Sequence, residues 1–200
     1  MGIDLFVKAL DESHGIEEPQ IILYGGEPLI NLPAIKEAIE YVNQLKKSGK
    51  LAKNTSITLN TNGVLITEEV IEVLKKAENL NVAISLDGPK QINDKCRIYH
   101  SGSGTYDDIL KAYRSLSSHG IGVGFCCTIN KFNIDELEEI SKWFVEELKA
   151  ESVGFNMLIE NCNIQEIRGS AEEYAEKTAQ KIINCFKYFR QQGVYEHRIM

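Results

Sequence analysis

Glu27 stands between a pair of glycines and a proline, at the end of an apolar run that reads IILYGGEPLI over residues 21–30. Paired glycines let backbone carbonyls and N–H groups come close to a ligand. Pro28 stiffens the exit, and the carboxylate lies beside both. Such an arrangement suits capture of a ligand ammonium group. Four other apolar runs also end in polar or glycine-rich residues: NTNG at 60–63, SLDGP at 85–89, CTIN at 127–130 and FNMLIEN at 155–161. Taken singly, TNG reads as a tight turn, because Asn and Gly tolerate positive φ, and Asp87-Gly88-Pro89 reads as a loop. GGEP on its own also fits a turn with an exposed carboxylate.

The thiols and imidazoles point to no metal site. Cys96, Cys126, Cys127, Cys162 and Cys185 are irregularly spaced, with no CxxC and no Cys/His pair at zinc spacing. Buried or free thiols are the simplest reading, although Cys96 adjoins Arg97 and Cys127 ends a strand, positions open to a redox or substrate-facing role. His14, His100, His119 and His197 form no ligand pair; His119, before Gly120, reads as a cation at a helix end.

The elements that must carry these residues alternate. QIILYGG, SITLNTNG, NVAISLDG, GVGFCCTIN and SVGFNMLI read as strands. They are near-continuously apolar, as in strands buried on both faces. Helices lie between them. Pro33 suits a first helical turn ahead of the stripe Ile35, Ala38, Ile39, Val42 and Leu45. Thr67 can cap a helix with Val70, Ile71, Val73, Leu74 and Ala77 on its apolar face. Thr105 with Asp108, Asn133 with Glu136, and Ser170 with Glu173 resemble capping boxes. Gly49, Gly120 and Gly193 fall at helix stops, and Trp143 with Phe144 reads as core. The order is a helix, then five strands each followed by a helix, which predicts a parallel α/β sheet. A doubly wound sheet and a (β/α) barrel both fit, but no GxGxxG or GxxxxGK[ST] follows a strand, which weakens the nucleotide-binding doubly wound form. In either, function sits at the C-terminal strand ends, where the five polar segments fall.

Composition narrows the classes. The 200 residues carry 29 acidic and 22 basic side chains, a net charge of −7, with no basic stripe for a polyphosphate backbone. No nucleic-acid partner is expected. No apolar run approaches the length of a membrane span, and the N-terminus lacks a signal-peptide pattern, so a cytoplasmic protein without a membrane partner is expected.

The ordered set YGGEPL, TNG, SLDGP, Arg97 and GSGTY resembles the radical S-adenosylmethionine (radical SAM) superfamily. More narrowly it resembles the branch with C-terminal cluster-binding extensions, the anaerobic sulfatase maturases and radical peptide maturases. The resemblance runs over most of residues 1–160. It implies a partial, open, TIM-like (β/α)6 barrel, with residues 1–200 forming a single core domain made of units two to six. It also implies that Gly25, Gly26, Glu27 and Pro28 hold the methionine amino group of S-adenosylmethionine. Ser85 and Asp87 would contact the cofactor from the SLDG segment, with Ser85 near its ribose and methionine moiety. Arg97 would pair with the methionine carboxylate, a task suited to a guanidinium fork, and Leu158 would pack on the adenine. Tyr24, Asn60 and Asn62 are the substrate-facing candidates. Tyr24 and Asn60 stand where glutamine is frequent, and Asn93-Asp94 replaces a frequent His-Asp, departures that bear on substrate class more than on cofactor.

The family's CxxxCxxC loop, whose three thiolates hold a [4Fe–4S] cluster with one open iron position, is absent from these 200 residues, as is the strand before it. Cys126 and Cys127 are adjacent and on the wrong strand to replace it. The expectation is therefore a truncated radical SAM core. The intact parent would use S-adenosylmethionine and the cluster to act on a peptide or protein through a 5′-deoxyadenosyl radical, whereas this chain would be inactive, binding no cluster and no other metal. A non-catalytic peptide-binding or oligomerising module is the alternative, self-associating through an exposed sheet edge. An ordinary α/β-barrel enzyme is less favoured, since no acid–base pair converges at the strand ends.

Overall fold

The computed structural model describes residues 3–12, 20–157 and 171–196. Their order is α1 (Ile3–Glu12), β1 (Gln20–Leu23), a 3-10 turn (Pro28–Asn31), α2 (Leu32–Lys47), β2 (Ser56–Thr61), α3 (Glu68–Leu74), β3 (Leu80–Ser85), α4 (Lys90–Asn93), α5 (Tyr106–Ser118), β4 (Gly122–Ile129), α6 (Leu137–Glu146), β5 (Ser152–Met157), α7 (Ala171–Gln192) and β6 (Tyr195–Glu196). The strands belong to one sheet in sequence order, β1-β2-β3-β4-β5-β6. β1 with β2, β4 with β5 and β5 with β6 pair in parallel, with Leu23 opposite Leu59 and Cys127 opposite Phe155. The expected parallel α/β sheet forms, with one strand more than the five read from sequence. β6 has only two residues, too few for a hydrophobic run to announce it.

The chain clusters into two compact units. The first comprises Met1–Ala83 and Ala112–Gly122. Its helix α2 buries Ile35, Ala38, Ile39 and Val42, and its start is closed by Asn31, whose side-chain oxygen accepts from the Ala34 N–H at 3.3 Å. Pro33 sits in the first turn as expected. Thr67 caps α3 by accepting from the Val70 N–H at 3.3 Å, above the buried Val70, Ile71, Val73 and Leu74. Positive φ at Gly49 (72°) and Gly120 (72°) stops α2 and α5, a conformation that favours glycine. His119 uses Nδ1 on the Ser115 carbonyl at 2.8 Å, with Nε2 3.6 Å from Glu68. Strands β1 and β2 are not buried on both faces. Ile21, Leu23, Ile57 and Leu59 are packed away, while Ile22 is 53% exposed and Ser56, Thr58 and Asn60 are half-buried. The pleat sends alternate side chains to opposite faces, and only one face is covered, although Ile22 is as apolar as its buried neighbours.

The second unit comprises Ile84–Lys111 and Val123–Met200. Its core is aromatic: the Phe125 and Phe144 rings lie 5.3 Å apart, and Phe155 stacks on Phe189 at 5.8 Å. Phe125, Phe144 and Phe189 are fully buried, each stabilising the fold by about 1.5–3 kcal/mol. Trp143 joins this cluster at 5.0 Å from Phe144.

Two helix starts differ from the sequence reading. Thr105 does not cap α5 with its side chain; its hydroxyl donates to the Arg97 carbonyl at 3.0 Å, and the Tyr106 N–H is instead taken by the Asp94 carboxylate at 3.0 Å. Asp108 accepts from the Tyr99 hydroxyl at 2.7 Å. Asn133 does not cap α6 either, because its amide is spent on three other backbone groups in the interior. The Ser170–Glu173 pair lies outside the described residues, as do Leu158, Cys162, His14 and His197.

Candidate functional site

In the first unit, β1 and β2 end side by side, which brings GGEP to TNG. Glu27 is the link. Its Oε1 accepts from the Thr61 hydroxyl at 2.8 Å and from the Leu29 N–H at 3.1 Å, and its Oε2 accepts from the Asn62 N–H at 2.8 Å. A carboxylate offers about four acceptor positions, so one remains for a ligand. The second half of TNG is closed by Asn62 Oδ1, which accepts from the Val64 N–H at 3.0 Å, and by Gly63 at φ 83°.

Gly25 and Gly26 behave differently from the turn glycines. Neither has positive φ, and a Cβ added at either would meet nothing within 4 Å. Neither backbone conformation nor packing against the described residues calls for glycine there. Both are exposed and line a cavity of about 310 Å³ with Phe6, Tyr24, Glu27 and Pro28. Tyr24 is 74% exposed. On β2, the half-buried Asn60 keeps its Oδ1 buried without a hydrogen-bond partner among the described residues.

In the second unit, SLDGP follows β3 and Asp87 is its centre. The residue is 2% exposed. Its Oδ1 accepts from the Thr128 N–H at 2.8 Å and from Arg97 Nη2 at 2.9 Å. Its Oδ2 lies 2.9 Å from Arg97 Nε, an ion pair whose angle falls outside a hydrogen bond. Arg97 Nη2 also reaches the Thr128 hydroxyl at 3.4 Å. The backbone of Asp87 is held too, since its N–H donates to Asn93 Oδ1 at 3.2 Å and its carbonyl accepts from Asn133 Nδ2 at 3.3 Å. Gly88, at φ 140°, has Ile140 3.3 Å from where a Cβ would stand. The Ser85 side chain is half-buried with no hydrogen bond among the described residues.

Sequence reading thus named Glu27, Asp87 and Arg97, noted Asn93 only as a departure from a frequent His-Asp, and missed the roles of Thr61, Thr128 and Asn133. Thr61 lies within the TNG already singled out. Asn133 was legible only as a helix cap, because its partner Asp87 is 46 residues distant.

The thiols are not poised for ligation. Cys126, Cys127 and Cys185 are buried and Cys96 is half-buried, and none of the four is in a disulfide. Burial pushes Cys127 well above the usual thiol range, raises Cys185 to about 11, and raises Cys96 as well. Metal-binding and nucleophilic cysteines need the thiolate. Among the described residues, no three His, Cys, Asp or Glu side chains are grouped to hold a metal ion.

Comparison with known proteins places this geometry. Residues 3–144 match the family model of the Radical SAM superfamily. Fe-coproporphyrin III synthase of Methanosarcina barkeri is 29% identical over 178 residues, covering 84% of this chain and 42% of that protein. A cysteine-type anaerobic sulfatase-maturating enzyme of Clostridium novyi is 30% identical over 123 residues, covering 62% of this chain and 32% of the enzyme. Among solved structures, native anSMEcpe with bound AdoMet and Kp18Cys peptide aligns with a TM-score of 0.74 at 20% identity, over 97% of this chain and 53% of that one. Identity that low speaks for the fold alone. The chain spans less than half the length of these curated relatives. The matched residues run from α1 into α6 and carry GGEP, TNG, SLDGP and Arg97, and the chain belongs to the radical SAM superfamily.

Proposed function

We propose that this chain is the cofactor-orienting part of a radical SAM enzyme that matures a peptide or protein. The observation that carries the reading is the pair Gly25 and Gly26, which lack side chains where none of the described residues would collide with one. Open backbone beside a cavity is what close approach of a ligand requires. The carbonyls there, with the remaining acceptor position of Glu27, receive the ammonium of S-adenosylmethionine. The Arg97 fork pairs with its carboxylate, and the unpartnered Ser85 hydroxyl contacts the ribose and methionine portion. Leu158 is assigned to the adenine by the resemblance alone. Tyr24, Asn60 and Asn62 face the substrate, and the orphaned Asn60 Oδ1 supports this by offering an acceptor to a donor outside the chain. Peptide substrates are supported by the maturases among the relatives.

With its [4Fe–4S] cluster, S-adenosylmethionine supplies radical chemistry; the residues described here bind, orient and exclude water. They fit the cofactor's amino-acid end but not the cluster, because no three of the described His, Cys, Asp or Glu side chains are grouped to ligate it. Residues 1–200 are accordingly assigned as a single partial core domain that binds no cluster and is inactive without further cluster ligands. The decisive experiment is anaerobic reconstitution of the whole gene product with iron and sulfide. A brown protein that cleaves S-adenosylmethionine on reduction is expected. A protein that takes up no cluster and cleaves nothing sinks the reading.

A second reading rests on β1. It comes first in the sheet order, and Ile22, Tyr24 and Ile30 near it are 53%, 74% and 78% exposed. A strand with no partner on one side among the described residues, beside apolar side chains, invites another strand, so self-association there, with a non-catalytic binding role, is the alternative. Sedimentation of the 200-residue chain should show dimers that Ile22→Lys abolishes; a monomer at all concentrations removes this alternative. No helix among the described residues is long and apolar enough to cross a membrane, and the cytoplasm is the assigned location.

A further inference from the structure

Asp87 was expected to touch the cofactor, yet its surroundings point elsewhere. Its side chain is only 3% exposed, against 23% for that of Arg97. Both carboxylate oxygens face inward partners: Oδ1 accepts from the Thr128 N–H and Arg97 Nη2, and Oδ2 forms an ion pair with Arg97 Nε at 2.9 Å. The Thr128 N–H belongs to the backbone of β4, so the carboxylate is tied to the sheet rather than to a mobile side chain. Its own backbone is fixed at both ends by Asn93 and Asn133, each an interior residue with 0% exposure. A carboxylate held this way has little freedom to turn toward a ligand. It has every means to hold a guanidinium still.

On the Arg97 side, the contacts among the described residues engage Nε and Nη2 and leave the two Nη1 donors. A free arginine side chain samples many rotamers and loses that freedom on binding. An arginine clamped along one edge presents its other donors already aimed.

We propose that Asp87 is a positioning residue that clamps the Nε/Nη2 edge of Arg97 and so aims the Nη1 donors at the anionic end of the ligand. This rests on the assignment of that end to the carboxylate of S-adenosylmethionine. Asn93 and Asn133 belong to the same device, one step further in, by fixing the Asp87 backbone.

The test uses two ligands, S-adenosylmethionine and its decarboxylated analogue, bound to the reconstituted full gene product and followed by calorimetry. Asp87→Asn keeps the size of the side chain and removes its charge. It is expected to weaken S-adenosylmethionine about tenfold or more, the scale of a charge-assisted hydrogen bond, and to leave the decarboxylated analogue within about twofold. Arg97→Gln should show the same contrast. The double variant should then lose little more than either alone, because both changes remove one interaction. If Asp87→Asn weakens both ligands equally, or its effect multiplies with that of Arg97→Gln, Asp87 touches the ligand directly and the positioning role is wrong. If the unaltered protein binds neither ligand, it is the cofactor assignment that fails, and this inference with it. Should Asp87→Asn not fold, Asp87→Glu, which keeps the charge but displaces it by one methylene, is read against the same two ligands.

Discussion

Glu27 and Thr61 share a 2.8 Å hydrogen bond although 34 residues separate them. With the bond from Asn62 N–H to the other carboxylate oxygen, it ties the loop after β1 to the loop after β2. The carboxylate that looked from sequence like a ligand group is also the brace of its own loop. Glu27→Gln tests the brace. An amide keeps one acceptor oxygen and turns the other position into a donor. That position must then face the Asn62 N–H or the donors at Oε1. The expected cost is about 1–3 kcal/mol in urea unfolding, with faster hydrogen exchange at Asn62. Unchanged stability and exchange contradict a brace.

Gly26→Ala should do the opposite. With no described neighbour within 4 Å of the new methyl group and no positive φ to violate, the fold should be untouched, or stabilised by up to ~1 kcal/mol through the unfolded chain. Binding of S-adenosylmethionine to the reconstituted protein should fall about tenfold or more, as the methyl group occupies the approach. Normal affinity in a normally folded Gly26→Ala protein means the glycine pair is turn punctuation only.

The pattern of what could be read from sequence follows the range of the interactions. Strands with a full apolar run, such as β4, declare themselves, and so does the cap of α3, because Thr67 and Val70 are three residues apart. The cap of α5 does not. Asp94 reaches the Tyr106 N–H from twelve residues upstream, across a loop whose path only the folded chain defines. Asn133 has the right residue type and spacing for a cap, yet the interior competes for its amide and wins, since the carbonyls of Asp87 and Thr128 lie buried within its reach. The distant partners of Glu27, Thr61 and Asn62, were hidden for the same reason. Residue types marked the site, and long-range bonds decided what each residue does there.

Gly104 supplies a sharper test of the α5 cap. A Cβ at that position would stand 2.0 Å from Asp94 Cγ, closer than non-bonded atoms can approach. Gly104→Ala must therefore push the carboxylate away from the Tyr106 N–H. Loss of such a cap costs about 0.5–2 kcal/mol, and Asp94→Ala should cost a similar amount. The double variant should be less destabilised than the sum of the two, because the cap can be lost only once. Additive costs in urea denaturation contradict this coupling.

Cys185 gives the fold a pH dependence of known sign. It is buried, with Sγ 3.6 Å from the Leu137 carbonyl, and burial raises its thiol from the ordinary 9.0 to about 11. An acid held protonated by the folded state favours folding fully below the unfolded value and loses that contribution as pH rises through the folded one. The window is therefore pH 9 to about 11, and the contribution is about 2–3 kcal/mol. Cys185→Ala removes the titrating group at the cost of a small cavity, a cost that does not depend on pH. Under reducing conditions, the stability gap between the parent chain and Cys185→Ala should narrow by that amount between pH 8 and pH 11, or reverse. A gap that stays constant over the range means that folding does not raise the thiol above its unfolded value.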